Sequence, residues 1–293
     1  MSGTGRTNGR SGAFLLFLAA WLVLYRSSLW ALFRFAWNDD TFSYIPLVPL
    51  VSAYLAYQDR GEIFREREGW HLSAGAPILA AAALYAYGIA KGDFLGRGDY
   101  LAVMTASMVA CNVGWIGLTY GPGAWKAAAF PLLFLVFMIP LPKALLDPIV
   151  SALQRGSAEI SYGFFQLAGV PVYRDGFTFS LPGLSIEVAR ECSGIRSSLS
   201  LVLTSLIAGH LFLRRAGNKL LLVLSVVPIT VFKNGVRIVT LALLGAYVDR
   251  RILGSRLHQN GGILFFVMAL GLMGLLVWGL RRREGKGAKN AHS

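Results

Sequence analysis

The stretch Glu187-Val-Ala-Arg-Glu-Cys192-Ser-Gly-Ile-Arg-Ser-Ser198 decides how this chain is organised. It places a cysteine among charges and small residues, and the apolar run Leu199–Leu213 follows at once. A switch from polar to continuously apolar sequence is typical of the start of a buried or membrane helix. The stretch therefore predicts a thiol at the mouth of a membrane helix.

The whole composition agrees with a membrane location. Hydrophobic residues make up 55% of the 293 residues, the mean hydropathy is +0.55, and several apolar runs are about 18–20 residues long, enough to span a bilayer. Continuous runs such as Leu220–Val231 do not fit the alternating strands of a β-barrel. We expect an all-α integral membrane protein with about eight transmembrane helices. The expected spans are 13–33, 42–57, 73–90, 101–119, 127–145, 196–213, 220–246 and 261–280.

The net charge of +13 is explained by basic residues that flank the apolar runs. No basic stripe interleaves with aromatics, which argues against nucleic-acid binding. With eight spans, the positive-inside rule puts both termini in the cytoplasm. This predicts a cytoplasmic tail over 1–12, one polytopic membrane domain over 13–280 and a basic cytoplasmic tail over 281–293.

The long segment 146–195 then faces outward. Within it, 144–168 has helical periodicity with mixed polar residues, which predicts an amphipathic interfacial helix. The following stretch, 176–189, alternates apolar and polar residues about Pro182-Gly183 and predicts a small extracytoplasmic β-hairpin. The hairpin would deliver the chain to Cys192 as a lid over the outer face.

Cys192 is the candidate nucleophile. A thiol at a helix N-terminus sees the positive end of the helix dipole, which favours thiolate. Arg190 and Arg196 act in the same direction, whereas Glu187 and Glu191 oppose it. The alternative is a small buried residue at a helix start. Cys111 lies inside an apolar run and is interpreted as an inert packed thiol, and two cysteines cannot form a disulfide framework.

The seventh span carries a second group of polar residues. Asn234 and Arg237 share one helix face, and an intramembrane arginine is by default a functional-site hypothesis. The alternatives are a structural ion pair with an acid such as Glu187, or snorkelling to the surface. Lys233 would line the same polar cavity, and Gly235 would permit close helix approach.

His258 lies directly before the last span, on the outer side of the expected topology. A lone loop histidine usually has no role, but topology leaves it as the available base for an outward-facing thiol. Arg237 raises a question of depth, because a helix that runs to Ala246 places it ~14 Å of rise below the outer end. Either the helix ends earlier, or Cys192 sits in a sunken water-filled pocket; the pocket is the interpretation we favour.

These residues together resemble the exosortase/archaeosortase family of integral membrane proteins. The resemblance depends on Glu191-Cys192-Ser-Gly-Ile195, on Asn234-Gly-Val-Arg-Ile238 and on His258 before the last helix, with Tyr44–Leu55 and Phe130–Pro142 as further similar segments. It covers roughly residues 35–280.

The resemblance implies a membrane-embedded cysteine peptidase-like transpeptidase with no cofactor. Its partners would be membrane-anchored exported proteins with a C-terminal sorting signal of the PEP-CTERM type, and its members are often linked to exopolysaccharide production. Carried over, Cys192 is the nucleophile, His258 the general acid and base, and Arg237 the oxyanion stabiliser. The site would face the periplasm from the cytoplasmic (inner) membrane. Asn234, Glu187 and Arg196 are the expected substrate-binding residues.

One alternative function is a transporter or a lipid-linked polysaccharide polymerase. In such a protein, Lys233, Arg237 and Arg196 would bind an anionic headgroup, and Cys192 would not be needed. A membrane assembly scaffold is a further alternative, for which the sequence offers no positive feature.

Overall fold

The computed structural model describes residues 4–63, 75–249 and 262–290. The helices of this part are α1 (Thr4–Asn38), α2 (Leu47–Gln58), α3 (Arg60–Ile63), α4 (Gly75–Lys91), α5 (Arg97–Tyr120), α6 (Pro122–Ala127), α7 (Ala129–Phe134), α8 (Lys143–Leu167), α9 (Ile195–Phe212), α10 (Ala216–Leu224), α11 (Val226–Tyr247) and α12 (Gly262–Asn290). Short 3-10 turns occupy Asp40–Phe42, Leu135–Met138 and Arg190–Ser193. A small antiparallel sheet has the strands β1 (Tyr173–Asp175), β2 (Thr178–Leu181) and β3 (Leu184–Glu187).

The all-α membrane architecture is confirmed, but the expected number of eight spans is wrong. Within the described residues, five segments are long and apolar enough to cross a membrane, and a sixth is obtained if α7 with the turn after it and α8 form one bent span. The five are Leu16–Asn38, Arg97–Tyr120, Ile195–Phe212, Ala216–Tyr247 and Gly262–Gly285.

Length and proline explain the missing spans. The expected second span is α2, whose 12 residues rise only about 18 Å. The expected third span corresponds to α4, whose 17 described residues are at the lower limit for a membrane helix. The expected span over 127–145 is interrupted, because the backbone is extended at Ile139 before Pro140 and Pro142. Proline lacks the N–H that a helix needs and disfavours helical backbone in the residue before it.

The chain divides into two compact units, Met1–Leu145 and Leu146–Ser293. In the first unit, α1, α4 and α5 are joined by a buried hydroxyl chain. Tyr25 Oη lies 2.6 Å from Ser107 Oγ, and Ser107 Oγ donates to the carbonyl oxygen of Ala81 at 2.8 Å. Because these hydroxyls are paired, the helices can bury them at little cost.

The second unit contains the Cys192 stretch and the sheet. The β2–β3 hairpin turns at Pro182-Gly183 as predicted, with Leu181 paired to Leu184, while β1 is an additional strand that pairs with β2. Phe179 of β2 is completely buried and packs on Phe165 of α8, with ring centroids 5.5 Å apart. Val188, Val239 and Ala242 complete this core, so the sheet is packed onto α8 and the later half of α11.

A salt bridge also joins the sheet to α8. Arg174 of β1 donates to both carboxylate oxygens of Glu159, at 2.7 and 2.9 Å. The hydrogen bonds from its guanidinium to Glu159 raise the pKa of Arg174. The lid-like segment expected from the sequence is thus an ordered sheet with an apolar core and a charged anchor.

Elsewhere in the second unit, an acidic residue of α12 meets the loop between α9 and α10. Glu284 of α12 accepts hydrogen bonds from the backbone N–H groups of Arg214 and Arg215, both at 2.9 Å, and from Asn218 Nδ2 at 2.8 Å. This carboxylate therefore closes the start of α10, where no side chain of α10 itself caps the helix.

Candidate active site

The Cys192 stretch forms a tight turn directly before α9. The backbone of Arg190–Ser193 makes a 3-10 turn, and Gly194 follows in the left-handed conformation with φ 82° and ψ 13°. Glycine suits this position because a side chain would be strained there. The structure describes the backbone of Cys192 and not its side chain, and it places that backbone three residues before the first helical residue.

The turn leans on α11. A methyl group added at Gly194 would lie 3.4 Å from Thr230 Cγ2 and 3.5 Å from Asn234 Cγ. These are ordinary contact distances, so the start of α9 and the segment Thr230–Asn234 are direct neighbours.

A third helix, α8, closes the same place. Asn234 is completely buried, and its Nδ2 donates to Ser157 Oγ of α8 at 2.9 Å. Gln154, one turn earlier on α8, donates to the carbonyl oxygen of Val188 at 2.6 Å. This bond fixes the segment that connects β3 to the Cys192 turn. The turn is thus held by α8 on its entry side and by α11 behind Gly194.

Lys233 also points into this junction. Its side chain is only 3% exposed, and Nζ donates a hydrogen bond to Ser197 Oγ in the first turn of α9. Ser197 Oγ in turn donates to the carbonyl oxygen of Gly194 at 2.8 Å. Lys233 was expected to line the same polar cavity as Arg237, and the structure adds that its ammonium donates to Ser197.

Arg237 lies three residues after Asn234 and is half-buried. The rise between them is about 4.5 Å, so Arg237 is one step further out along α11 than the Gly194 contact. α11 continues to Tyr247, and the alternative that this helix ends early is therefore wrong.

The remaining predicted residues are more scattered. Glu187 is exposed at the end of β3, opposite Thr178, and Arg196 is exposed in the first turn of α9. Asn234, expected to bind substrate, uses its amide inside the protein. His258 lies outside the described residues. Among the described residues, no three His, Cys, Asp or Glu side chains come together as metal ligands.

Sequence reasoning missed the serines that complete the junction. Ser157 and Ser161 recur at i and i+4 on α8 and are both completely buried, a pattern that indicates a helix face packed on a partner. Ser197 follows Gly194 by three residues, a spacing that lets its hydroxyl reach the Gly194 carbonyl. The sequence shows that these serines are polar residues among apolar ones, but it does not show which helix each serine contacts.

The comparisons with known proteins give one match. A family model described as transmembrane exosortase matches residues 36–275, which is most of the chain and includes the Cys192 turn, Arg237 and His258. No curated protein and no solved structure matches the chain.

Proposed function

Since this chain belongs to the transmembrane exosortase family, we propose that it is a membrane-embedded cysteine transpeptidase that cleaves the C-terminal sorting signal of exported proteins. The observation that carries the proposal is the contact of the Cys192-bearing turn with α11. Gly194 packs on Asn234, and Arg237 lies one step further along the same helix. The turn that carries Cys192 and the helix that carries Arg237 are therefore direct neighbours.

The proposed reaction is an acyl transfer through a thioester intermediate. The Cys192 sulfur attacks the carbonyl carbon of the scissile peptide bond, and the thiol proton passes to His258. Arg237 donates hydrogen bonds to the oxyanion that forms on the carbonyl oxygen. The C–N bond then breaks, His258 returns the proton to the leaving amine, and a thioester remains on Cys192. An acceptor nucleophile or water releases the product.

The substrate proposed is a membrane-anchored protein whose sorting signal is of the PEP-CTERM type. The site would face the periplasmic side of the inner membrane, where such a substrate exposes its motif beside its own membrane helix. The sheet β1–β3 provides an ordered surface beside the turn, because β3 leads directly into it through Val188. Glu187 and Arg196 are both exposed, one on either side of the turn.

The test uses the two cysteines as a matched pair. Cys192→Ala should abolish processing of a co-expressed protein with a C-terminal sorting signal, whereas Cys111→Ala should process it normally. The measurement is the ratio of cleaved to full-length substrate, normalised to the amount of enzyme in the membrane. Full processing by the Cys192→Ala variant would end the peptidase proposal.

The transporter or polymerase alternative depends on Lys233 and Arg237 reaching an anionic headgroup. Lys233 is 3% exposed and already donates to Ser197, which disfavours direct contact with a bulky ligand. The two functions also separate in the cysteine test, because a headgroup-binding protein has no need of Cys192.

A further inference from the structure

Lys233 is a buried cation in a membrane helix, which is an expensive arrangement unless the charge is used or paired. Among the described residues, its ammonium has a hydroxyl partner, Ser197, and no carboxylate. A hydroxyl satisfies one of the three N–H donors without neutralising the charge. When Lys233 is protonated, its positive charge lies at the start of α9.

The hydrogen bonds from Lys233 lead to the Cys192 turn. Ser197 accepts from Lys233 and donates to the carbonyl oxygen of Gly194. The same carbonyl accepts from the backbone N–H of Ser198 at 2.9 Å and from its hydroxyl at 3.0 Å. Gly194 is two residues after Cys192, so this network fixes the joint between the turn and the helix.

Two further hydroxyls near this joint are buried without a hydrogen-bond partner in the described part of the chain. They are Ser193 Oγ, in the residue directly after Cys192, and Thr230 Oγ1, whose own methyl group packs on Gly194. Buried hydroxyls normally find partners, so these two add unmatched polar groups to the joint. The junction is thus a polar, positively charged site in an apolar setting.

From this arrangement we infer that Lys233 is a positioning residue for the reaction proposed above: its charge raises the fraction of Cys192 present as thiolate, and its bond to Ser197 holds the turn in place. The inference depends on Cys192 being the nucleophile. A positive charge near a thiol stabilises its thiolate, and a low-dielectric surrounding strengthens the effect.

Other charges of the same region act on the thiol as well. They are Arg190, which donates to Asp147 at 2.6 Å, Arg196 and Arg237 with the same sign as Lys233, and Glu187 and Glu191 with the opposite sign. Lys233 differs from the described members of this set in being almost completely buried, so water screens its charge least.

The experiment measures thiol reactivity and needs no substrate. In a Cys111→Ser background, Cys192 is the single cysteine, and its alkylation rate by iodoacetamide is followed against pH in detergent-solubilised protein. Lys233→Met should raise the midpoint pH of the alkylation profile by about one unit or more. Alkylation at neutral pH should then be roughly tenfold slower. Lys233→Arg should retain most of the reactivity. Lys91→Met, at the exposed end of α4, is the charge-matched control and should leave the profile unchanged.

Ser197→Ala separates charge from position. It removes the bond and keeps the cation, so the midpoint should stay near that of the parent while substrate processing falls. Equal midpoints for the parent and Lys233→Met would overturn the inference when thermal unfolding curves show that both proteins are folded. If Lys233→Met fails to fold, the midpoint of Lys233→Gln decides in its place.

The failure of the proposed function has a different signature. Processing that survives Cys192→Ala rejects the cysteine nucleophile whatever the alkylation profile shows. Suppose that processing survives Cys192→Ala but is lost in Ser197→Ala and in Lys233→Met. Ser197 is then the nucleophile and Lys233 its base, an arrangement known for serine–lysine dyads. That result would overturn the positioning role of Lys233.

Discussion

Gly235 lies where α11 packs against α8, beside the buried Asn234. A methyl group added at Gly235 would lie 2.5 Å from Cγ2 of Ile160, a branch close to the backbone that cannot swing away freely. Gly235→Ala should therefore destabilise the protein by about 1–3 kcal/mol, the usual cost of overpacking. The measurement is the thermal midpoint of the purified protein in detergent.

Gly163 is the matched control for this substitution. It lies inside α8, and a methyl group added there meets nothing within 4 Å. Gly163→Ala should be neutral or stabilise the protein by up to about 1 kcal/mol, since alanine favours a helix interior over glycine. Similar midpoints for the two variants would show that α8 and α11 are not in close contact at Gly235.

At this scale the sequence predicts residue types better than partners. Gly235 was expected to permit close helix approach, and the structure confirms this through Ile160. Asn234 shares a face with Arg237, and its expected role in substrate binding stays a prediction; the structure adds that its amide donates to Ser157. Periodicity along one helix shows which residues share a face. It cannot identify Ser157, the partner that lies 77 positions earlier in the chain.

Among the elements, those with strong local signals were predicted well. The expected span 196–213 is α9 (Ile195–Phe212), and the hairpin about Pro182-Gly183 is present. β1 was missed because Tyr173–Asp175 is short and has no apolar alternation; it becomes a strand only by pairing with β2. The span expected at 127–145 was wrong because hydropathy does not register the helix-breaking effect of Pro140 and Pro142.

The start of α10 depends on another element. Glu284 of α12 accepts from two backbone N–H groups there and from Asn218, a cap supplied from outside the helix. Glu284→Ala should cost about 1 kcal/mol, as for the loss of an N-cap, and amide exchange should speed up at residues 214–218. Glu284→Gln keeps one acceptor oxygen and should be intermediate.

Arg283→Gln provides the control for that measurement. Arg283 is exposed on the same turn of α12, and its replacement should change neither stability nor amide exchange at α10. Faster exchange spread over all of α9 to α12 in the Glu284 variant would indicate global destabilisation instead of a local cap.

For the whole molecule, the depth of Arg237 follows from the length of the α10–α11 span. Its 32 residues rise about 48 Å, well above the roughly 30 Å of a hydrocarbon core. Counted outward from the basic residues at Arg214, Arg215 and Lys219, 30 Å of helix ends near Thr240. On this count we expect Arg237 about 5 Å inside the boundary and the last turns of α11 in the outer aqueous region. Neither a shortened helix nor a deep pocket is needed.

The orientation of the molecule follows from the same count. If α7 and α8 form one bent span, the described residues give six spans, an even number like the eight expected. We then expect both basic termini on the cytoplasmic side by the positive-inside rule. The Cys192 turn, the sheet and the outer end of α11 then share the opposite side. This orientation is a prediction, and two valines can test it, one near the start of α11 and one directly after its end.

Val227 and Val248 are both exposed, at 58% and 70%, and lie about 31 Å of helix rise apart. In a background without cysteines, Val248→Cys should react with a membrane-impermeant maleimide added to spheroplasts, because it lies beyond the outer boundary. Val227→Cys faces lipid inside the core and should react only after denaturation in SDS. Labelling of Val248→Cys only after lysis would reverse the orientation and move the Cys192 turn to the cytoplasm. If neither valine variant reacts before denaturation, the end of α11 lies within the bilayer and the sunken pocket becomes the better account of Arg237.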